Sequence, residues 1–444
     1  MGDGSELSEG AIRIRKILES MGRESVTSFA SMPLSEVVFC KAGAEYQLSR
    51  RRDPEEVAII RALLDEGQGE YKVPLTARFD TIRSTIADAD NINLSQSKID
   101  SFIHCPFNYS CKYIMKIAPE PKAEIGSLDV GTFIHHVIEK FFVEVPGERI
   151  RSGDISAEEL YEISDRIIAD YLSTLSIFPN GGADGRIDYL FIRLKRYVPL
   201  FLEAILRELA QSEFFPVAHE LPIGPEPGDV PPITFVTDDG TQVTLKGIAD
   251  RVDLCEKDGV TYVRVVDYKT GKKVFSLDNV SRGIDIQLLL YLFTLWKFGV
   301  PELGIHDALP AGAVYLNVRP NANPVTSLLS AEEAAEFTID NVERSGIFLA
   351  DEDVLTAMDK ELCGKYVSVT KSGTGLKATA GTTIMTLDEL GGLYSRLEEI
   401  IKRVATDMKA GHCEAAPLGT GDDSPCKYCD NKFICRVIAG RRDD

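Results

Sequence analysis

A chain of 444 residues, 44% hydrophobic and 27% charged, can bury a large core in two or three domains or in one domain with insertions. Its formal net charge of −20 excludes a broadly basic surface that would hold nucleic acid by counterion release, but leaves room for a local basic channel. No apolar run approaches the ~20 residues that span a bilayer, and Met1-Gly2-Asp3-Gly4-Ser5-Glu6 lacks the features of a secretion signal, so a cytoplasmic protein without a membrane partner is expected.

Residues 1–92 read as an N-terminal helical segment, with Ile12, Ile14, Ile17 and Leu18 on one helix and Pro54-Glu55-Glu56 opening another. A new unit begins at Leu94-Ser95-Gln96-Ser97, where Ser95 is placed to cap a helix that breaks near Cys105-Pro106. Gly131-Thr132 precedes a helix through Phe133, Ile134, Val137, Ile138 and Phe141, which carries His135 and Glu139 one turn apart. Two amphipathic helices are predicted over 156–174 and 186–211. Strands follow over 214–269, with Asp239-Gly240 and Asp258-Gly259 as the turns between them. A helix over 284–298 holds Gln287 and Tyr291, and Ala313 to Val318 adds a further strand. Lys371 to Gly381, rich in Gly, Thr, Ser and Lys, reads as a flexible surface loop. Thr386 and Glu389 form a capping box for a long helix to about Met408. No phosphate-binding Gly-x-x-x-x-Gly-Lys-Ser/Thr loop occurs, so no motor of the chain's own is recognisable.

The chemistry concentrates in Gly247-Ile248-Ala249-Asp250-Arg251-Val252-Asp253 and Val265-Val266-Asp267-Tyr268-Lys269-Thr270-Gly271. Alternation along a strand puts Asp267 and Lys269 on one face and turns Tyr268 away. Two carboxylates, Asp250 and Asp267, with the backbone carbonyl of Tyr268 and the imidazole of His135, make a set of mostly hard donors suited to Mg²⁺ or Mn²⁺. Lys269 beside them would orient a water or stabilise charge on phosphorus. Gln287 and Tyr291 would line the site, touching phosphate or holding Lys269. An isolated Asp-x-Lys is more often a surface ion pair; the companions at Asp250 and His135 give it weight here.

Nine cysteines in a reducing compartment are unlikely to pair as disulfides. Cys426, Cys429 and Cys435 give a C-x2-C-x5-C run of soft ligands for zinc or an iron–sulfur cluster, with Cys413, Cys105 or Cys111 as a fourth ligand. Lys98, Lys112, Lys116, Lys272, Lys273, Lys427, Lys432 and Arg436, interleaved with Phe107, Tyr109 and Tyr113, would suit single-stranded nucleic acid, or equally a solvated surface over core aromatics.

Taken in order, Leu94 to Ser97, Cys105-Pro106-Phe107, Gly131 to His135 with Glu139, Gly247 with Asp250 to Asp253, Asp267 to Gly271, Gln287 with Tyr291, Gly346 to Asp351, and the three C-terminal cysteines resemble the RecB-like PD-(D/E)XK nucleases that carry an iron–sulfur staple. The likeness is greatest to the AddB-type nuclease domains and covers roughly residues 94 to 438. The resemblance implies an α/β restriction-endonuclease-like core, a mixed sheet flanked by helices, with helical insertions at 150–211 and 320–410. It implies a nuclease domain over 93–438 with a metal-dependent centre at His135, Asp250, Asp267 and Lys269. It makes Cys105, with Cys426, Cys429 and Cys435, the ligand set of a [4Fe–4S] cluster, zinc being the lesser alternative. The expected function is a Mg²⁺- or Mn²⁺-dependent deoxyribonuclease, exonuclease rather than endonuclease, acting on single-stranded DNA or duplex ends in break repair with a helicase partner. The alternatives are a non-catalytic DNA-binding or assembly component of a helicase–nuclease complex and a compact DNA-trimming nuclease of CRISPR adaptation.

Overall fold

The computed structural model describes residues 91–435 apart from 118–126, 175–184, 227–228, 319–328, 374, 380 and 420–423. The helical segment expected over 1–92 therefore lies outside the described residues except at its last two positions, which are strand. The chain divides into two compact units; among the described residues one comprises 91–100 and 127–405, the other 101–117 and 406–435.

The larger unit is built on a mixed sheet of eight strands with the path β1-β4-β5-β6-β7-β10. These are β1 (Asn91–Ser95), β4 (Gln242–Lys257), β5 (Val260–Lys269), β6 (Leu309–Asn317), β7 (Arg344–Leu349) and β10 (Thr382–Met385). β2 (Phe215–Ile223) and β3 (Thr234–Val236) pair antiparallel with β4. β1 runs parallel to β4, β5 parallel to β6 and β7 parallel to β10, whereas β4–β5 and β6–β7 are antiparallel. This is the mixed sheet with flanking helices expected from the sequence.

One face is covered by helices. Phe133, Val137 and Phe141 of α2 (Ser127–Glu144), Leu160 and Ile167 of α3 (Ala157–Thr174) and Val198, Phe201 and Ile205 of α4 (Gly185–Gln211) share one buried cluster with Val266, Tyr268 and Leu316. The three-to-four spacing of those apolar residues is what turns each helix toward the sheet. On the opposite face α5 (Gln287–Phe298) packs against β4, β5 and β6, and Leu288 through Leu295 are all buried. A helix apolar around its circumference is one that is enclosed on every side.

Several boundaries differ from the sequence reading. Asn91 and Ile92, expected to be helical, open strand β1 with Asn93 to Ser95; α1 (Gln96–His104) then starts directly after Ser95 and ends before Cys105 as expected, with the Ser95 hydroxyl 3.0 Å from that of Ser97. Five residues of mixed polarity carry too little periodicity to be told from a helix start; their strand state comes from pairing with Gln242 to Lys246. Lys371 to Gly381 is not a plain loop: β8 (Val369–Ser372) and β9 (Gly375–Ala378) pair in a hairpin, and β10 joins the main sheet, so 320–410 is no purely helical insertion. The capping box is formed as read, with Thr386 N–H donating to Glu389 Oε2 at 2.7 Å and Glu389 N–H to Thr386 Oγ1 at 3.3 Å, opening the helix Leu387–Lys409.

Candidate active site

The site grows from the β4–β5 hairpin. Asp258 and Gly259 both have positive φ, 52° and 78°, the requirement of a tight hairpin turn whose twist matches its strands. That turn sets the register, pairing Arg251 with Val266 and Asp253 with Arg264. Alternation then sends Asp250, Asp267 and Lys269 to the face of α5, and Arg251, Asp253, Arg264 and Tyr268 to the face of the helical layer.

On the α5 face the expected residues come together. Tyr268 N–H donates to Asp250 Oδ2 at 2.7 Å, and Lys269 Nζ lies 2.5 Å from Asp267 Oδ2. From α2, His135 places Nε2 at 2.9 Å from the Tyr268 carbonyl oxygen and Nδ1 at 3.6 Å from Asp250 Oδ2. Burial raises the pKa of Asp250, with a further push from Asp267 that His135 and Lys269 only partly offset. Burial likewise raises the pKa of Asp267 against the opposing pull of Lys269. Burial works against charge on His135, but the hydrogen bond to Glu220 and the charge of Asp250 outweigh it and hold the imidazole above its usual value.

Asp267 is 1% exposed; its Oδ2 is met by Lys269 Nζ at 2.5 Å, and its Oδ1 has no hydrogen-bond donor among the described residues. Buried carboxylate oxygens without donors are costly unless a cation satisfies them. The donors present, two carboxylates, a carbonyl and an imidazole, fit a hard divalent ion. The 2.9 Å between His135 Nε2 and the Tyr268 carbonyl also fits adjacent ligands of an octahedron with bonds of about 2.1 Å, which stand about 3 Å apart.

α5 supports this centre. Gln287 Oε1 accepts from Lys269 Nζ at 3.4 Å, and Gln287 Nε2 donates to the Tyr291 hydroxyl at 3.1 Å. That hydroxyl also accepts Ile248 N–H at 3.1 Å, and Tyr291 is 6% exposed, so it holds Gln287 and β4. The approach depends on Gly247, where a Cβ would stand 2.1 Å from the Tyr291 oxygen. Tyr315, the β6 partner of Asp267, puts its ring 5.7 Å from Lys269 Nζ, a cation–π contact that the sequence reading had not anticipated.

Beneath the other face lies a buried ionic network. Glu208 of α4 receives Arg264 Nη2 and Arg344 Nη2, each at 3.0 Å, with Arg251 Nη2 at 3.6 Å; Asp253 receives Arg264 Nη2 at 2.7 Å and Arg251 Nε at 2.9 Å. Arg251 Nη1 also donates to the Tyr268 hydroxyl at 3.2 Å. Arg251 is thus no partner of Asp250; it anchors the residue whose carbonyl faces His135.

Glu220 is the residue the sequence reading missed. It lies on β2, between the His219–Arg251 and Leu221–Ala249 pairs, and its Oε1 is 3.2 Å from His135 Nδ1. His135, Glu220 and Asp250 bring ligand atoms within 4.8 Å of one another. Its one distinguishing mark is a φ of 45°, which no sequence pattern announces in a glutamate.

In the smaller unit Cys105, Phe107 and Cys111 form a buried cluster against which Cys435 packs, and Cys111 sits on a π-helical turn, Ser110–Ile114. Burial and the nearby thiols of Cys429, Cys435 and Cys105 push the Cys111 thiol up to about 12. Asn108 Oδ1 accepts from Asn431 Nδ2 at 2.9 Å and lies 3.6 Å from Cys429 Sγ. Phe107 and Tyr109 are 5% and 6% exposed and cannot stack on bases, whereas Tyr428 is 82% exposed with Lys427 Nζ 5.7 Å from its ring. Arg436 lies outside the described residues, and no helix among the described residues is long and apolar enough to cross a membrane.

Comparison with known proteins bears on this geometry. The model of the PD-(D/E)XK nuclease superfamily matches residues 93–436. The B-type subunit of the ATP-dependent helicase/deoxyribonuclease of Clostridium acetobutylicum is 30% identical over 355 residues, 78% of this chain and 30% of that protein. Its counterpart in Acetivibrio thermocellus is 30% identical over 347 residues, 77% of this chain and 30% of that protein; that of Clostridium tetani is 28% identical over 363, covering 80% and 31%. This chain therefore spans under a third of the length of these relatives. With the mixed sheet, the Asp250–Asp267–Lys269 face and a family match across most of its length, the chain belongs to the PD-(D/E)XK nuclease superfamily, in its RecB-like, AddB-like branch.

Proposed function

We propose that this protein is a Mg²⁺- or Mn²⁺-dependent deoxyribonuclease that hydrolyses phosphodiester bonds of single-stranded DNA. The observation that carries the reading is the meeting of His135 Nε2, the Tyr268 carbonyl, Asp250 and the donor-poor Asp267 carboxylate beside the Lys269 ammonium. His135, Asp250, Asp267 and the Tyr268 carbonyl would hold the metal, which when bound polarises the scissile phosphate and acidifies water. Lys269, fixed between Asp267, Gln287 and the Tyr315 ring, orients the attacking water and stabilises charge developing on the phosphoryl oxygens. Tyr291 and Gln287 act by holding Lys269 and β4 in position.

Residues 93–438 would form the nuclease domain. Its relatives are named as helicase/deoxyribonuclease subunits, which supports a role in DNA break processing with a helicase as partner; the mode proposed with it is exonucleolytic. Within the smaller unit, the nearness of Cys105 and Cys426 to Cys429, and of Cys435 to the cluster that holds Cys105, supports a structural [4Fe–4S] cluster on these four, with Zn²⁺ as the alternative occupant. Anaerobically purified protein should be brown with broad absorption near the visible edge; a colourless, zinc-loaded sample would overturn the cluster while leaving the nuclease reading intact. End-labelled single- and double-stranded DNA, each with Mg²⁺, Mn²⁺ or chelator, tests the activity. The proposal expects metal-dependent loss of single strands and fails if no DNA substrate is cut.

A further inference from the structure

Glu220 stands out at the site because its backbone is strained where nothing in strand pairing asks for it. A φ of 45° puts a non-glycine residue in the left-handed region, inside a strand whose neighbours pair regularly with β4. Such strain persists where surrounding structure over-determines it, and it collects at functional sites. The strained backbone aims the Glu220 carboxylate at one atom, His135 Nδ1, at 3.2 Å. The other ring nitrogen, Nε2, faces the Tyr268 carbonyl at 2.9 Å. A neutral imidazole can present only one bare nitrogen, and the hydrogen bond at the other decides which. With Glu220 accepting at Nδ1, the proton stays there, so Nε2, which in the metal-free protein donates to the Tyr268 carbonyl, is the nitrogen that gives up its proton to an ion.

We infer that Glu220 is a positioning residue for the metal centre: it fixes His135 in the Nδ1–H tautomer and turns Nε2 toward the ion, a carboxylate–histidine–metal relay. This rests on the metal-dependent reading above. A carboxylate behind a ligating histidine raises the ring's basicity and locks its orientation, and its loss typically weakens metal affinity 10- to 100-fold. Asp250 Oδ2, 3.6 Å from Nδ1 and already accepting Tyr268 N–H at 2.7 Å, is too distant and too occupied to replace it.

The test measures Mn²⁺ binding by electron paramagnetic resonance titration of the full chain, beside the ¹⁵N shifts of the His135 ring, assigned by their absence from His135→Ala. Glu220→Ala should bind Mn²⁺ 10- to 100-fold more weakly and lose the single Nδ1–H tautomer. Glu220→Gln, whose amide oxygen can still accept from Nδ1–H, should keep affinity within a few-fold. Glu220→Gly should bind as weakly as Glu220→Ala yet melt at or above the wild-type temperature, because glycine relieves the positive φ. The loss from Glu220→Ala should shrink to nothing in a His135→Ala background. Unchanged affinity and tautomer in Glu220→Ala would overturn the inference, as would Glu220→Gln falling as far as Glu220→Ala, which would make Glu220 a ligand in its own right. Wild-type protein that binds no Mn²⁺ would instead sink the metal-dependent reading itself.

Discussion

Replacing Glu208 by Gln should cost more stability than almost any other single-atom change in the protein. Glu208 is 3% exposed and answers three guanidinium groups, those of Arg264, Arg344 and Arg251. Burial alone would raise its pKa, but the three arginines overcome this and hold it at about 2, against the ordinary 4.5. By linkage that gap corresponds to roughly 3 kcal/mol of stability at neutral pH. Removing the charge leaves Arg251 and Arg264 with Asp253 as their one carboxylate and Arg344 with only the Val342 and Lys365 carbonyls, and breaking a buried ion pair in this way costs about 3–5 kcal/mol. The sign is definite: the folded-state pKa is depressed, so the stabilisation is complete above about pH 4.5 and disappears as pH falls toward 2. Urea unfolding followed through the lone tryptophan, Trp296, would read both effects. Wild type should lose stability through this acid window, and Glu208→Gln should be weaker at neutral pH and flatter below it. A variant within about 0.5 kcal/mol of wild type, with the same acid slope, would refute the network's role. Because Arg251 also holds the Tyr268 hydroxyl, the variant should further weaken Mn²⁺ binding at the Tyr268 carbonyl.

Three further outcomes follow from the same geometry. Asp267→Asn should leave the metal-free protein as stable as wild type or more stable by about 1 kcal/mol, since burial raises the Asp267 pKa in spite of its Lys269 partner and so disfavours the charge; chelator-treated melts check this. Gly247→Ala should cost about 1–3 kcal/mol and lower the turnover rate, because its Cβ displaces the Tyr291 hydroxyl from Ile248 and Gln287; thermal melts and single-turnover rates would register both. In chelator the protein should lose stability as pH rises through neutrality. Asp250 and His135 both have raised pKa values and so bind more protons folded than unfolded, and saturating Mn²⁺ should reverse that slope.

The sequence made the β4–β5 hairpin legible because three signals agreed there: Asp258-Gly259 for the turn, β-branched residues for the strands and alternation for the faces. His135, Asp250, Asp267 and Lys269 were therefore found together, as were Gln287 and Tyr291, although only the structure distinguishes their tasks: Gln287 touches Lys269 and Tyr291 braces β4. Asp250 and Arg251 are neighbours in sequence, but strand alternation sends the two to opposite faces, and Arg251 meets Glu208 from a distant helix, which no local pattern shows. Glu220 was invisible for a related reason: its value lies in a backbone angle and a cross-strand position fixed only when β2 pairs with β4. Lys371 to Gly381 misled because Gly, Thr, Ser and Lys describe a loop and a short surface hairpin equally well, and tertiary pairing decided between them.

The central claim, that the Asp250–Asp267–Lys269 face cuts DNA with a divalent metal, is tested most directly by comparing wild type with Asp267→Ala on end-labelled linear DNA in Mg²⁺. Wild type should degrade the DNA and stop on chelation, whereas Asp267→Ala should bind DNA as before and cut at least about 1,000-fold more slowly. Equal cutting by Asp267→Ala, or none by wild type under any divalent metal, would contradict it.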